Sequence, residues 1–185
     1  MSGRAGLGTP ASPSNLPHGR LFKSEKVGMK TLILMRHAKS DWSKPGQRDK
    51  DRTLNERGRL AASQMGTWLQ DKGYVPQAAL ISSAARTRET FGLMGLECET
   101  AYLDTLYLAE ADEYLSAPLT APECNCLLIL GHNPGMESAM GQMAGTRMSA
   151  PTAATAVYSL PIKHWREARP KLGSLEEFET PKSLV

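Results

Sequence analysis

Two apolar runs in this chain, "LILMRH" at residues 32–37 and "LLILGH" at residues 127–132, end on the same residue type. Both place four large aliphatic side chains in succession, without the polar alternation of a half-exposed strand. A strand covered on both faces reads this way, and such strands occupy parallel sheets with helices on either side. In open sheets of that kind the ligand crevice lies beyond the carboxyl ends of the strands. The runs therefore predict a layered fold, and they predict that His37 and His132 face one another if the two strands are neighbours.

The remaining signals alternate between helix and strand. A buried strand over 30–35 leads into a polar loop through Arg52. Thr53-Leu54-Asn55-Glu56 fits a capping box, with Thr53 as N-cap and Glu56 at the third helical position. The helix should then run to about Lys72, burying Leu60, Ala61, Met65, Trp68 and Leu69, before Gly73 stops it. "AALISS" (78–83) reads as a strand and "AARTRETFGLMG" as a helix. "TAYLD" fits an edge strand and "EADEYLSAPL" a short helix. "CNCLLILGH" (124–132) is the second buried strand, the helix "GMESAMGQMAG" follows Pro134, and "TAVYSLPI" reads as the last strand. The alternation implies a three-layer α/β/α sandwich around a mostly parallel sheet, with right-handed crossovers. The methionines at 136, 140, 143 and 148 read as helix packing rather than a cofactor box.

A chain of 185 residues suits one domain with a substantial core. Residues 1–28 are rich in Gly, Ser and Pro and lack hydrophobic periodicity, so they read as a disordered extension, leaving residues 29–185 as the folded domain. No apolar h-region marks a secretory signal. The arginines and serines of the extension leave organelle targeting open, although Pro10, Pro13 and Pro17 spoil an amphipathic helix. The net charge of +3 arises there, from Arg4, Arg20, Lys23 and Lys26 against Glu25. The rest of the chain is balanced, which argues against a nucleic-acid surface. No run approaches the roughly 18 apolar residues of a membrane-spanning helix. The three cysteines, Cys98, Cys124 and Cys126, are odd in number and read as reduced thiols in a cytoplasmic setting.

Several cationic groups gather near the two histidines. Arg36 precedes His37, Arg52 lies in the loop after that strand, and Arg86 opens the helix that follows Ser82 and Ser83. Guanidinium forks match tetrahedral phosphate oxygens and keep their charge. A neutral imidazole can attack phosphorus and carry the phosphoryl group until water removes it, while a second imidazole, kept protonated beside the anion, stabilises oxygen charge. A cation would be repelled here, so no metal or other cofactor is expected. His18 and His164 stand apart from this set.

"LMRHAKSDW" resembles the signature strand-loop of the histidine phosphatase superfamily. "DKDRTLNERGRLAA", "SSAARTRET" and "LLILGHNPGM" resemble its later segments, in the family's order, over about residues 30–180. The small size and the Arg-His-Ala-Lys-Ser sequence are similar to the SixA-like phosphohistidine phosphatase branch. That resemblance implies a phosphoglycerate mutase-like fold without the large helical insertion. It implies His37 as the nucleophile that becomes phosphohistidine, Arg36 and Arg86 as phosphoryl ligands, His132 as the stabiliser of transferred charge, and Arg52 as an arginine near the pocket. Thr53 and Ser83 depart from the family's pattern, each standing where proline is usual. For the general acid the candidates are Asp49, Asp51 and Glu110, with Asp49 preferred. A phosphorylated protein histidine is the implied substrate. A small phosphomonoester, or a phosphate-binding module without turnover, is the alternative.

Overall fold

The computed structural model describes residues 28–184. The disordered extension expected over residues 1–28 lies outside them apart from Gly28, as does His18. Six strands form one sheet in the spatial order β3-β2-β4-β1-β5-β6: β1 (Lys30–Arg36), β2 (Ala78–Ser82), β3 (Glu99–Leu103), β4 (Cys126–Gly131), β5 (Thr155–Leu160) and β6 (Ser174–Glu179). The first four in chain order are mutually parallel, whereas β5 runs antiparallel to β1 and β6 antiparallel to β5. Helices α1 (Glu56–Asp71) and α2 (Ala85–Leu93) connect strands on one side, and α3 (Ala111–Ser116) and α4 (Gly135–Ala144) on the other. This is the three-layer α/β/α architecture read from the sequence.

The absence of alternation in β1 and β4 has its cause in two cores. Leu32 and Leu34 join Leu127 and Ile129 beneath Tyr114 of α3 and Met136 and Met140 of α4. Ile33 and Met35 join Leu128 and Leu130 beneath Met65 and Trp68 of α1 and Phe91 of α2. Successive side chains of one strand thus enter opposite cores. Each such side chain, wholly removed from water, contributes roughly 1.5–3 kcal/mol. The buried methionines of α4 are core packing, as their spacing suggests.

Three expectations need correction. The N-cap of α1 is Asn55, whose side chain accepts a hydrogen bond from the Gly58 amide, and not Thr53. The chain cannot turn helical earlier because Leu54 is fully buried, bridges to Ser40, and donates its amide to Glu89 Oε2 at 2.6 Å. The buried stripe of α1 is Gly58, Ala62, Met65, Gly66, Trp68 and Leu69; Leu60 is 61% exposed and Ala61 only partly covered. Finally, β5 is not the last strand, because the charged segment Ser174–Glu179 adds an edge strand to it. Among the described residues no helix is long and apolar enough to cross a membrane.

Candidate active site

Strand register brings the two histidines together. β1 and β4 are adjacent and parallel, with Arg36 paired to Gly131. His37 and His132 therefore leave neighbouring strands at the same level, and the His37 amide still donates to the Gly131 carbonyl at 3.0 Å. The ring centroids lie 5.0 Å apart, tilted by 57°. Gly131 is obligatory here, because a Cβ at that position would collide with the Tyr114 ring. That ring holds the site from below: Tyr114 Oη donates to the Leu106 carbonyl and accepts from the His132 amide at 2.8 Å.

The imidazoles are held differently. His37 Nδ1 lies 2.7 Å from the Ala38 carbonyl oxygen, which can only accept, so the proton of the neutral ring sits on Nδ1. Nε2 then carries the lone pair, and Arg86 Nε donates to it at 3.3 Å. His132 Nε2 meets Ser82 Oγ at 2.7 Å, while its Nδ1 is buried without a partner. Burial first, and then the Arg86 and Arg36 charges, push His37 down to about 4 against the opposing bond to Ala38. Burial, then His37 and Arg86, push His132 down to about 3. Both rings are neutral at pH 7, so the protonated second imidazole expected from the sequence is not found in this pocket: burial and the neighbouring cations disfavour a further charge on His132.

The arginines arrive from separate elements. Arg36 ends β1 and donates from Nη1 to the Ala150 carbonyl at 2.8 Å. Glu137 of α4 fixes that carbonyl by accepting from the Ala150 amide at 2.7 Å. Arg86, in the first turn of α2, is buried; it donates from Nη1 to the Asp49 carbonyl at 2.6 Å and from Nη2 to Asp49 Oδ2 at 2.9 Å. Thr90, one turn later, receives the Ala38 amide at 3.1 Å and donates to the Arg86 carbonyl at 2.6 Å, so α2 is tied to the residue after His37. Arg36, His37, Asp49, Arg86 and His132 all line one pocket of about 240 Å³, together with Lys39, Trp42, Leu108 and Asn133 at its walls and mouth. Among the described residues no three His, Cys, Asp or Glu side chains cluster closely enough to hold a metal ion.

Residues 32–113 match the histidine phosphatase superfamily (branch 1). The structure of the candidate phosphohistidine phosphatase SixA of Agrobacterium tumefaciens superposes with a TM-score of 0.70 at 31% identity, over 82% of this chain and 98% of that one. The chain belongs to the histidine phosphatase superfamily, in its SixA-like branch. A second candidate SixA, from Nakamurella multipartitia, gives a TM-score of 0.72 at 28% identity, over 85% of this chain and 99% of that one. An uncharacterized chloroplastic protein of Arabidopsis thaliana is 30% identical over 151 residues, 74% of this chain and 69% of its own length.

Within this histidine phosphatase pocket the remaining candidates separate. Asp49 lines it, whereas Asp51 pairs with Arg48 at the surface and Glu110 is exposed at the start of α3. Burial raises the Asp49 carboxyl, but hydrogen bonds from Tyr107 and Arg86 outweigh it and hold the group below its ordinary value. Arg52 does not line the pocket. Its guanidinium stacks 4.1 Å from the Trp42 ring and donates to the Gln47 carbonyl at 3.1 Å. Ser83, at the proline-like position, donates its amide to Leu103 and its hydroxyl to Asp104, two bonds that steady the entry to α2. His164 lies apart, against Glu123. Sequence reasoning missed Tyr107, which donates to Asp49 Oδ2 at 2.8 Å and sets its ring edge-on to His132 at 5.6 Å. No spacing pattern marks it, since it arrives on the loop after β3.

Proposed function

We propose that this protein hydrolyses the phosphoramidate bond of a phosphorylated protein histidine, through a phosphohistidine formed on its own His37. The observation that carries the reading is the 2.7 Å contact between His37 Nδ1 and the Ala38 carbonyl: it commits the Nδ1 proton, so Nε2 keeps its lone pair at the wall of the pocket, where a long 3.3 Å bond from Arg86 Nε meets it until a phosphoryl group draws the guanidinium away. A module that only bound phosphate would need the guanidiniums but not an oriented, neutral imidazole.

In the first step Nε2 attacks phosphorus and the substrate P–N bond breaks. Its electron pair leaves with the substrate imidazole, which departs neutral when its other ring nitrogen already carries a proton. Arg36, Arg86 and His132 hold the phosphoryl oxygens, with each full charge at about 4 Å worth on the order of 4 kcal/mol at an effective dielectric near 20. In the second step water adds to phosphorus and the bond to His37 breaks, returning the pair to Nε2. One water hydrogen stays on the new P–OH, and His132 takes the other proton. Asp49 is ionised beneath Arg86 and Tyr107, so it positions Arg86 and is a poor proton donor at neutral pH. A phosphoramidate, whose leaving nitrogen can be protonated beforehand, suits such a site better than an alkyl phosphomonoester. Arg52 acts behind Trp42. The three free cysteines suit a reducing compartment, the cytoplasm in the first instance.

The test is trapping of ³²P from a labelled phosphohistidine peptide, with chelator present. Acid-labile, base-stable label on the wild type, lost in His37→Ala, is the expected result. Phosphate binding without label in the wild type would leave only the binding module, and chelator-sensitive turnover would overturn the metal-free chemistry.

A further inference from the structure

Two large apolar side chains stand exposed at the wall of the His37 pocket, Trp42 at 66% and Leu108 at 52%. Neither is needed to bind or transfer a phosphoryl group, and Trp42 is held in place. The Trp42 indole donates from Nε1 to Ser40 Oγ at 3.0 Å. One face of its ring is covered by the Arg52 guanidinium at 4.1 Å, a cation–π contact that fixes the plane. With that face closed and the residue still mostly exposed, the other face is open. Leu108 has φ of +49°, in the left-handed region where a side chain costs free energy. Strain of this kind persists where the surroundings impose it, often at ligand sites.

The polar floor formed by the Arg36 and Arg86 guanidiniums and the His132 ring takes the phosphoryl oxygens, so whatever phosphorus is attached to must project toward the mouth. We propose that Trp42 and Leu108 form the leaving-group subsite, and that it takes a planar unsaturated ring, stacked on the open indole face. This inference rests on His37 being the attacking group, and it deepens that reading: the imidazole of a phosphorylated histidine is such a ring. Arg52 is then a positioning residue, buried behind Trp42 to keep the platform flat. A saturated leaving group of the same size fills the space but loses the stacking.

The experiment measures KM and kcat for a phosphohistidine peptide and phenyl phosphate, and the competitive inhibition constant of cyclohexyl phosphate, in the wild type, Trp42→Ala, Trp42→Phe and Leu108→Gly. Relative to its effect on cyclohexyl phosphate, Trp42→Ala should raise KM for the two ring substrates by about 3- to 10-fold, with kcat little changed, and Trp42→Phe should recover most of the loss. Leu108→Gly should keep or raise the melting temperature, because glycine adopts positive φ freely, yet still raise KM for the ring substrates. Equal effects on all three phosphates, or a phenylalanine no better than alanine, overturn the subsite while leaving His37 labelling intact. A wild type that turns over neither the phosphohistidine peptide nor phenyl phosphate, or a His37→Ala variant that still takes the label, overturns the phosphatase reading instead.

Discussion

Lowering the pH from 7 to 5 should cost this fold about 4 kcal/mol, nearly all of it through two side chains. His37 is pushed from its ordinary 6.5 to about 4, chiefly by burial and then by Arg86 and Arg36. His132 is pushed to about 3, by burial and then by His37 and Arg86. In the unfolded chain both rings take up protons below about 6.5; in the native protein they resist until pH approaches 4 and 3. The unfolded state thus binds more protons across this window, so stability rises with pH, is fully present above 6.5 and is lost as pH falls toward 4. At pH 5 each ring accounts for about 2 kcal/mol, and neither has yet titrated in the native state, so the two add. Carboxylates barely titrate between pH 7 and 5, and Asp49, held low, is silent there. The assay is urea unfolding at pH 7, 6 and 5, without phosphate, for the wild type, the His37→Gln and His132→Gln single variants, and the double. Each single variant should remove about half of the pH dependence, and the double should lose less than about 1 kcal/mol over the window. A wild type that is flat between pH 7 and 5, or a double variant that tracks it, refutes the reasoning: the rings would then titrate normally and His37 would be partly protonated near neutral pH.

Three further perturbations test the frame around those rings. Gly131→Ala drives a methyl group into the Tyr114 ring and should cost about 1–3 kcal/mol, read as a lowered melting temperature with His132 displaced in its NMR spectrum. Ser82→Ala removes the partner of His132 Nε2; kcat should fall by about tenfold, the scale of one buried hydrogen bond, with KM nearly unchanged, and an unaltered kcat would argue against any role for His132 orientation. Asp49→Asn removes the carboxylate that positions Arg86 through Nη2, so tungstate should bind more weakly by calorimetry and turnover should drop; unchanged binding would show that Arg86 keeps its place without Asp49.

The parts of the fold that could be read ahead are those where burial is two-sided. β1 and β4 announce themselves because both faces are covered and the pattern has no room for polar residues. Their ends then carry His37, His132 and Arg36 to one place by register alone, and Arg86 follows from the first turn of the next helix. The capping box at Thr53 failed because a tertiary demand overrode a local one: Leu54 is needed in the core and its amide by Glu89, which holds the chain extended for two more residues. β6 escaped notice because "SLEEFE" pairs with one strand only, at the edge, where charge discourages pairing with other chains. Tyr107 and Leu108 escaped because a loop, not an element, delivers them.

The protonation states could not be read at all, since they belong to the assembled pocket. The same Arg-His sequence in a solvated loop would hold an imidazole free to protonate near 6.5. Here the guanidiniums that would grip the phosphoryl oxygens also help keep the nearby imidazoles neutral, so phosphate affinity and nucleophile readiness arise partly from one field. Removing Arg86 should therefore weaken both at once, while burial alone, the larger cause, keeps part of the His37 shift. A phosphoryl dianion at the pocket opposes that field and favours protonation of His132, which makes the ring a better proton acceptor at the stage when water attacks.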